Sequence, residues 1–94
     1  MTAYWVAHVN VHDEAAYGEY ARRAGPILKQ FGGRILARGG RTVTLEGRRF
    51  ERNVIVEFPN IETAEACYNS PEYQAACALQ KGAAERDIAI IEGI

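Results

Sequence analysis

Apolar and polar residues alternate between Tyr4 and Val11, a pattern typical of a β-strand with one buried side. Successive side chains of a strand point to opposite faces, so this segment has two distinct faces. The wholly apolar face carries Trp5, Ala7, Val9 and Val11, and the other face carries Tyr4, Val6, His8 and Asn10. We therefore predict a first strand that packs its apolar face on a core.

Helical spacing of apolar residues replaces the alternation directly after this strand. Asp13 is a favourable N-cap, because its carboxylate can accept a hydrogen bond from an otherwise unpaired backbone N–H. Pro26 removes one helical hydrogen bond, so we expect it to kink or interrupt the helix, and Gly32-Gly33 supplies the left-handed turn that ends it. The predicted buried stripe consists of Tyr17, Tyr20, Ala21, Ala24, Leu28 and Phe31.

The rest of the chain divides into strands and a second, interrupted helix. Asn60 and Ser70 are predicted N-caps, and Ser70-Pro71 marks the restart because proline is favoured at the first helical position. We expect strands at 34–38, 52–58 and 88–92, a β-ribbon at 41–50 that turns near Gly47-Arg48, and helices at 61–68 and from 70 to about 81.

This order of elements predicts an α+β, ferredoxin-like β-α-β-β-α-β fold, with residues 1–94 as a single domain. Right-handed crossovers give a four-stranded antiparallel sheet of order 4-1-3-2 with both helices on one face. We expect the uncovered face to be apolar and to pack on a second copy as a homodimer, because a small domain buries little surface alone. The residues assigned to this open face are Val6, Leu36, Ile55, Ile88 and Ile90.

Composition and charge narrow the range of functions. Of the 94 residues, 48% are hydrophobic and 24% are charged, and the net charge is -1, without the basic excess typical of nucleic-acid-binding proteins. Residues 1–53 hold nine basic and five acidic residues, and residues 54–94 hold two and seven, which favours either complementary subunits or two solvated faces of opposite sign. The start resembles no signal peptide and no apolar segment approaches the roughly 20 residues of a membrane helix, so we expect a cytoplasmic protein.

Motifs for metals and cofactors are absent from the sequence. The spacing of Cys67 and Cys77 matches no metal-binding motif, and there are only two histidines, so we expect no disulfide, metal or cofactor. Haem handling would need an axial ligand facing a wide cleft, and neither His8 nor His12 lies on a predicted helix. No phosphate-binding glycine loop and no hydrolase signature occurs.

Several segments of the chain form a combination typical of one family. They are Asp13 with Tyr17 and Tyr20, Gly32-Gly33, Leu36-Ala37-Arg38-Gly39-Gly40, Val54-Ile55-Val56-Glu57-Phe58-Pro59, Tyr68-Asn69-Ser70-Pro71-Glu72-Tyr73 and Glu92-Gly93. Together they make the chain similar to the family catalogued as domain of unknown function 1330. The resemblance implies membership of the dimeric α/β-barrel superfamily, which includes cofactor-free monooxygenases, lactone isomerases and haem-degrading enzymes. The chain has Gln80 where the family has an arginine, and the neighbouring Lys81 is a candidate substitute that lacks the planar guanidinium.

A polar set is predicted on the open face of the sheet. If strands two and three pair across a two-residue turn at Gly47-Arg48, Arg38 lies directly opposite Glu57. His8 points the same way from the neighbouring strand, so the three side chains would form a row inside the dimer. In the functional interpretation His8 is a general base, Arg38 binds a carboxylate or enolate-like charge, and Glu57 orients one of them. In the structural interpretation they only fix the sheet register or the subunit contact.

A second candidate site lies between the sheet and the helices. A substrate site there could be lined by Tyr17, Tyr20, Tyr68 and Tyr73, with Trp5. The family resemblance adds Lys81 as a candidate substrate-binding residue. The same aromatic residues at helical spacing also fit a plain core. The sequence thus favours a homodimer that binds a small anionic or carbonyl-bearing metabolite, either as a cofactor-independent enzyme of proton transfer or oxygenation or as a non-catalytic binding module.

Overall fold

The computed structural model describes residues 1–94 as a four-stranded antiparallel sheet with helices packed on one face. The elements are β1 (Ala3–Val11), α1 (Glu14–Gln30), β2 (Arg34–Arg38), β3 (Arg52–Phe58), α2 (Ile61–Asn69), α3 (Pro71–Ala78) and β4 (Ala84–Glu92). The strands lie in the order β2-β3-β1-β4, which confirms the predicted α+β ferredoxin-like sheet. None of the helices is long and apolar enough to cross a membrane.

The helices begin at the predicted capping residues. Asp13 accepts a hydrogen bond from the backbone N–H of Ala16 at 3.1 Å, and Asn60 and Ser70 cap α2 and α3 in the same way. Pro26 does not interrupt α1, which is continuous across it. Pro26 is exposed, and α1 continues four residues beyond it to Gln30 despite the backbone hydrogen bond that proline cannot donate. α3 ends at Ala78, before the expected boundary near Lys81.

The core lies between the sheet and the helices, as the alternation in β1 predicts. Trp5, Ala7 and Val9 are each at most 5% exposed and pack with residues of all three helices. Trp5 stacks against Phe58 with ring centroids 5.9 Å apart and meets Tyr73 edge-on at 5.1 Å. This aromatic cluster fixes the distance between sheet and helices, and so fixes the space that remains beside it.

The predicted register between β2 and β3 is wrong. Arg34, not Arg38, lies opposite Glu57 and forms a salt bridge with it at 3.5 Å. A register shift between Ile35 and Ala37, a β-bulge, places Arg38 opposite Val54. The bulge disrupts the strict alternation along β2, so Arg38 no longer shares the face of Arg34.

The segment 41–50 also differs from the predicted ribbon, because it forms no strand. Its end is held by contacts from β1 and β4 instead of by a ladder. The Asn10 side chain donates to the carbonyl of Arg49 at 3.1 Å and accepts from the N–H of Glu51 at 2.9 Å, and Arg48 forms an ion pair with Glu85. The two-residue turn on which the predicted register depended is therefore missing.

The open face of the sheet is apolar at its centre, but its members differ from the prediction at β4. Ile88 and Ile90 pack against the core, because Ile90 lies opposite Trp5 and shares its face. Ile91 occupies the open face in their place and is 55% exposed. The register places Val6, Ala37, Ile55, Ala89 and Ile91 on the open face. Leu36, at the bulge, has no partner in the register and is 45% exposed.

Candidate functional site

A cavity of about 360 Å³ opens between α1 and the helix-facing side of the sheet. This volume falls within the range of small-molecule sites. Its wall is mostly apolar and aromatic, and three arginines interrupt that wall: Arg38, Arg52 and Arg86. The apolar and aromatic lining comes chiefly from Trp5, Ala7, Tyr17, Tyr20, Ala24, Leu28, Ile35, Val54, Val56 and Ile88.

The sheet register brings the three arginines together from three different strands. Arg52 of β3 and Arg86 of β4 both lie opposite Val9 of β1, which is wholly buried on the helix side. Arg38 of β2 lies opposite Val54, two residues beyond Arg52 on the same face of β3. The cavity therefore receives positive charge from both outer strands and from one inner strand of the sheet.

Arg86 is the most enclosed of these cations. Its guanidinium lies over the Tyr20 ring, 4.9 Å from the ring centre, and donates a hydrogen bond to the Tyr73 hydroxyl at 3.1 Å. It also lies 3.8 Å from Sγ of Cys77. None of the salt bridges of the chain involves Arg86, so this half-buried charge has no carboxylate partner.

The hydroxyls of Tyr20 and Tyr73 extend this arrangement into the cavity. Their oxygens are 2.6 Å apart, and the bond between them uses only one of the two hydroxyl hydrogens. Arg86 donates to Tyr73, and in the arrangement in which Tyr73 donates to Tyr20 the Tyr20 hydrogen is free to face the cavity that Tyr20 lines. In that arrangement each group donates a hydrogen bond to the next, from Arg86 to Tyr73 to Tyr20.

Burial determines the protonation of this group. It raises the pKa of Tyr20, an effect that the positive charge of Arg86 opposes, and it raises the pKa of Tyr73 further. Burial works against the charge of Arg86, but its interactions with the two tyrosines outweigh that and raise the pKa of Arg86. At neutral pH both tyrosines are therefore neutral donors, and Arg86 is a cation that no neighbouring anion neutralises.

The other two arginines differ in their pairing. Arg52 forms a salt bridge with Glu14 at 3.2 Å, and its guanidinium lies 5.3 Å from the centre of the Tyr17 ring. Arg38 forms no salt bridge and is exposed at the edge of the cavity. Glu14 thus offsets one of the three positive charges, and two remain uncompensated.

A second, wider cavity of about 700 Å³ lies on the other side of Arg86. Tyr68 and Lys81 line it together with Cys77 and Gln80. The predicted aromatic set is therefore divided: Tyr17 and Tyr20 line the smaller cavity, and Tyr68 lines the larger one. Tyr73 is wholly buried between them, with its ring in the core.

The predicted row of His8, Arg38 and Glu57 is not formed. His8 lies on the open face opposite Asn53, and its Nδ1 is 2.6 Å from the Asn53 side-chain oxygen. Glu57 lies four residues from Asn53 along β3, about 13 Å away by strand geometry. Arg38 is on the opposite face of the sheet, because the bulge turns it toward the helices.

Sequence reasoning missed Arg86 and the contribution of Arg52 to this site. Arg86 fell in a predicted connection, because the last strand was expected to begin at Ile88 and it begins at Ala84. The missed signal is the alternation of Ala84, Arg86, Ile88 and Ile90, in which Arg86 takes a core-facing position. A lone charged residue in such a position is a candidate for function.

This chain is therefore a small α+β protein with a ligand-sized space between a ferredoxin-like sheet and its helices. The sequence matches the DUF1330 family, a domain of unknown function, over residues 2–94, and the chain belongs to that family. No curated protein matches the sequence. No three His, Cys, Asp or Glu side chains are grouped so that they could hold a metal ion.

Solved structures share the fold at low sequence identity. A protein of unknown function from Rhodopseudomonas palustris has a TM-score of 0.78 at 18% identity, with 99% of this chain and 82% of that chain covered. A dimeric ferredoxin-like protein of unknown function from Jannaschia has a TM-score of 0.69 at 14% identity, covering 99% and 100%. SnoaB, a cofactor-independent oxygenase from Streptomyces nogalater, has a TM-score of 0.68 at 10% identity, covering 99% and 93%.

Proposed function

We propose that this protein binds a small organic anion with an apolar body in the cavity between α1 and the sheet. Arg86 is the counter-ion of the anionic group, and the Tyr20 hydroxyl donates a second hydrogen bond to it. The apolar body contacts the wall that Trp5, Leu28 and Val56 contribute. Carboxylates and the enolate or phenolate forms of carbonyl compounds have this combination of features.

The unpaired charge of Arg86 is the observation that supports this proposal. A guanidinium removed from water without a partner is unfavourable, and proteins normally pair such groups with a carboxylate. Here Arg86 contacts the face of the Tyr20 ring, the Tyr73 hydroxyl and the Cys77 sulfur, and it also lines the cavity. An anion in the cavity would form charge-assisted hydrogen bonds with Arg86 and complete its coordination.

The same geometry would serve an enzyme without a cofactor. A neutral hydroxyl that faces the cavity and is backed by a guanidinium can donate a proton to, or stabilise, an oxyanion formed on a bound carbonyl compound. The cofactor-independent oxygenase SnoaB has a similar fold, which supports the proposal of an enzyme without a cofactor. His8 and Glu57, which have protein partners on the open face, favour a structural role there.

We also propose that two copies pack their open faces together. Val6 lies directly opposite Ile55, and Ala37 and Ile91 extend the apolar surface to both outer strands. No helix covers this side. Phe50 lies beside His8 at one end of it, with ring centroids 5.6 Å apart, and the apolar centre is covered only if another molecule lies on it. The structural relative from Jannaschia is a dimeric protein, which supports the same arrangement here.

Calorimetric titration with benzoate, and with benzamide as its uncharged analogue, tests the anion site. We expect benzoate alone to bind, and Arg86→Met to weaken it about ten- to a hundredfold, as the loss of a charge-assisted hydrogen bond does. Tyr20→Phe should weaken binding less, because it removes one neutral donor. Arg23→Met, which removes the same charge from an exposed position outside the cavity, is the control.

Equal binding of benzoate and benzamide, or equal effects of Arg86→Met and Arg23→Met, would contradict the proposal. Circular dichroism of each variant shows whether it remains folded. If Arg86→Met fails to fold, Arg86→Lys serves instead: it keeps the charge but loses the planar donor pair, and benzoate binding should fall without being abolished.

A further inference from the structure

We infer that the ligand of the cavity carries two anionic groups at opposite ends of an apolar body, the second one bound by Arg38. This inference rests on the proposed anion site at Arg86 and specifies its ligand class further. The class is that of dicarboxylates, or of acids with an enolate or phenolate oxygen at the far end.

The position of Arg38 is the first reason. In a regular strand Arg34 and Arg38 would share one face, and Arg34 pairs with Glu57 on the side away from the helices. The bulge between Ile35 and Ala37 turns Arg38 to the helix side, where it lines the cavity. Bulges often re-aim a side chain next to a functional site, and this one delivers a cation to the cavity wall.

The distance between the two unpaired cations is the second reason. Arg38 is on β2 and Arg86 is on β4, the two outer strands of the sheet. Three strand spacings, about 14 Å, and an offset of two residues along the strands, about 7 Å, separate their backbones. Between them the cavity floor is apolar at Val54 and Val56 of β3 and at Trp5 and Ala7 of β1. The one charged residue that these two strands add to the lining is Arg52 of β3, which is paired with Glu14, so the unpaired cations lie only on the outer strands.

The charge balance is the third reason. Arg52, which also lines the cavity, has its charge offset by Glu14. Arg38 and Arg86 have no such partner, and no acidic side chain lines the cavity. A monoanion would neutralise only one of the two, whereas a ligand with a second anionic end would pair with both.

Linear dicarboxylates from succinate to sebacate, each compared with its monomethyl ester, provide the test. The ester keeps the body and one charge, so the affinity ratio of diacid to ester measures the second anion site. We expect this ratio to pass through a maximum along the series, where the diacid binds about tenfold tighter or more, and to fall to near one in Arg38→Met. Arg38→Lys should keep part of the preference, and Arg23→Met should keep all of it.

The two proposals fail in different ways in this experiment. If the esters bind through Arg86 but no diacid binds better than its ester, or the preference persists in Arg38→Met, the two-ended ligand is wrong and the anion site stands. If neither diacids nor esters bind, or their binding is unchanged in Arg86→Met, the anion site itself is wrong and the inference falls with it. Arg38 is exposed, so its variants should fold as the wild type does.

Discussion

Tyr73 shows how a single side chain links the core to the candidate site. It is wholly buried, yet its hydroxyl is satisfied by Tyr20 and Arg86. A buried hydroxyl without partners costs on the order of 1–3 kcal/mol, so these contacts hold the ring in a fixed position. The same ring packs against Trp5, and the tyrosine therefore fixes Arg86 relative to the sheet.

The two cysteines differ in reactivity for reasons that lie in their surroundings. Cys67 is wholly buried, and this burial, aided by the charge of Glu72, raises the pKa of its thiol to about 11. Cys77 is half-buried and lines the larger cavity beside Arg86. Because the thiolate is the reactive form, we expect a thiol reagent at mildly alkaline pH to modify Cys77 and to spare Cys67.

Single variants assign the reacting thiol. Cys77→Ser should abolish modification of the native protein, and Cys67→Ser should leave it unchanged, while both wild-type thiols react once the protein is unfolded in denaturant. Rapid modification of native Cys77→Ser would contradict the burial of Cys67.

At the scale of elements, Ser70 is the joint between α2 and α3. Its hydroxyl donates to the carbonyl of Cys67 at 2.8 Å and accepts from the N–H of Tyr73 at 3.1 Å. We expect Ser70→Ala to lower the free energy of unfolding by about 1–2 kcal/mol, because the buried joint loses a helix cap. Urea denaturation measures the change, with Asn69→Ala at the adjacent exposed position as control; equal values for the two variants would rule out this role.

The caps and the strand order were predictable, because each depends on local chemistry or on a general rule. Asp13, Asn60 and Ser70 are residue types that cap helices, and the crossover rule leaves one strand order for this element sequence. The buried stripe of the first helix and the core face of the first strand followed from periodicity.

The candidate site could not be predicted in full, because its position depends on two irregular features. The bulge in β2 moves Arg38 to the other face of the sheet, and nothing in the sequence fixes a bulge between Ile35 and Ala37. The early start of β4 places Arg86 on the sheet, although its polar neighbours Glu85 and Asp87 suggest a solvent-exposed connection. The tyrosines at helical spacing were found, whereas the cation that they surround was not.

At the scale of the whole molecule, the proposed dimer follows from the bare apolar face of the sheet. We expect light scattering to give twice the monomer mass for the wild type. Ile55→Glu should produce a monomer, because it places a charge at the centre of the buried contact opposite Val6. Ala15→Glu adds the same charge at an exposed position of α1, on the helix side of the sheet, and it should remain dimeric. A monomeric wild type, or a dimeric Ile55→Glu, would contradict this assembly.

The anion site at Arg86 is the claim on which the functional account depends, and nuclear magnetic resonance tests it most directly. In a titration of labelled protein with benzoate, the side-chain N–H resonances of Arg86 and the ring resonances of Tyr20 should shift together and saturate at the same concentration. Shifts that never saturate, or that are largest at His8 and Asn53 on the other face of the sheet, would contradict it.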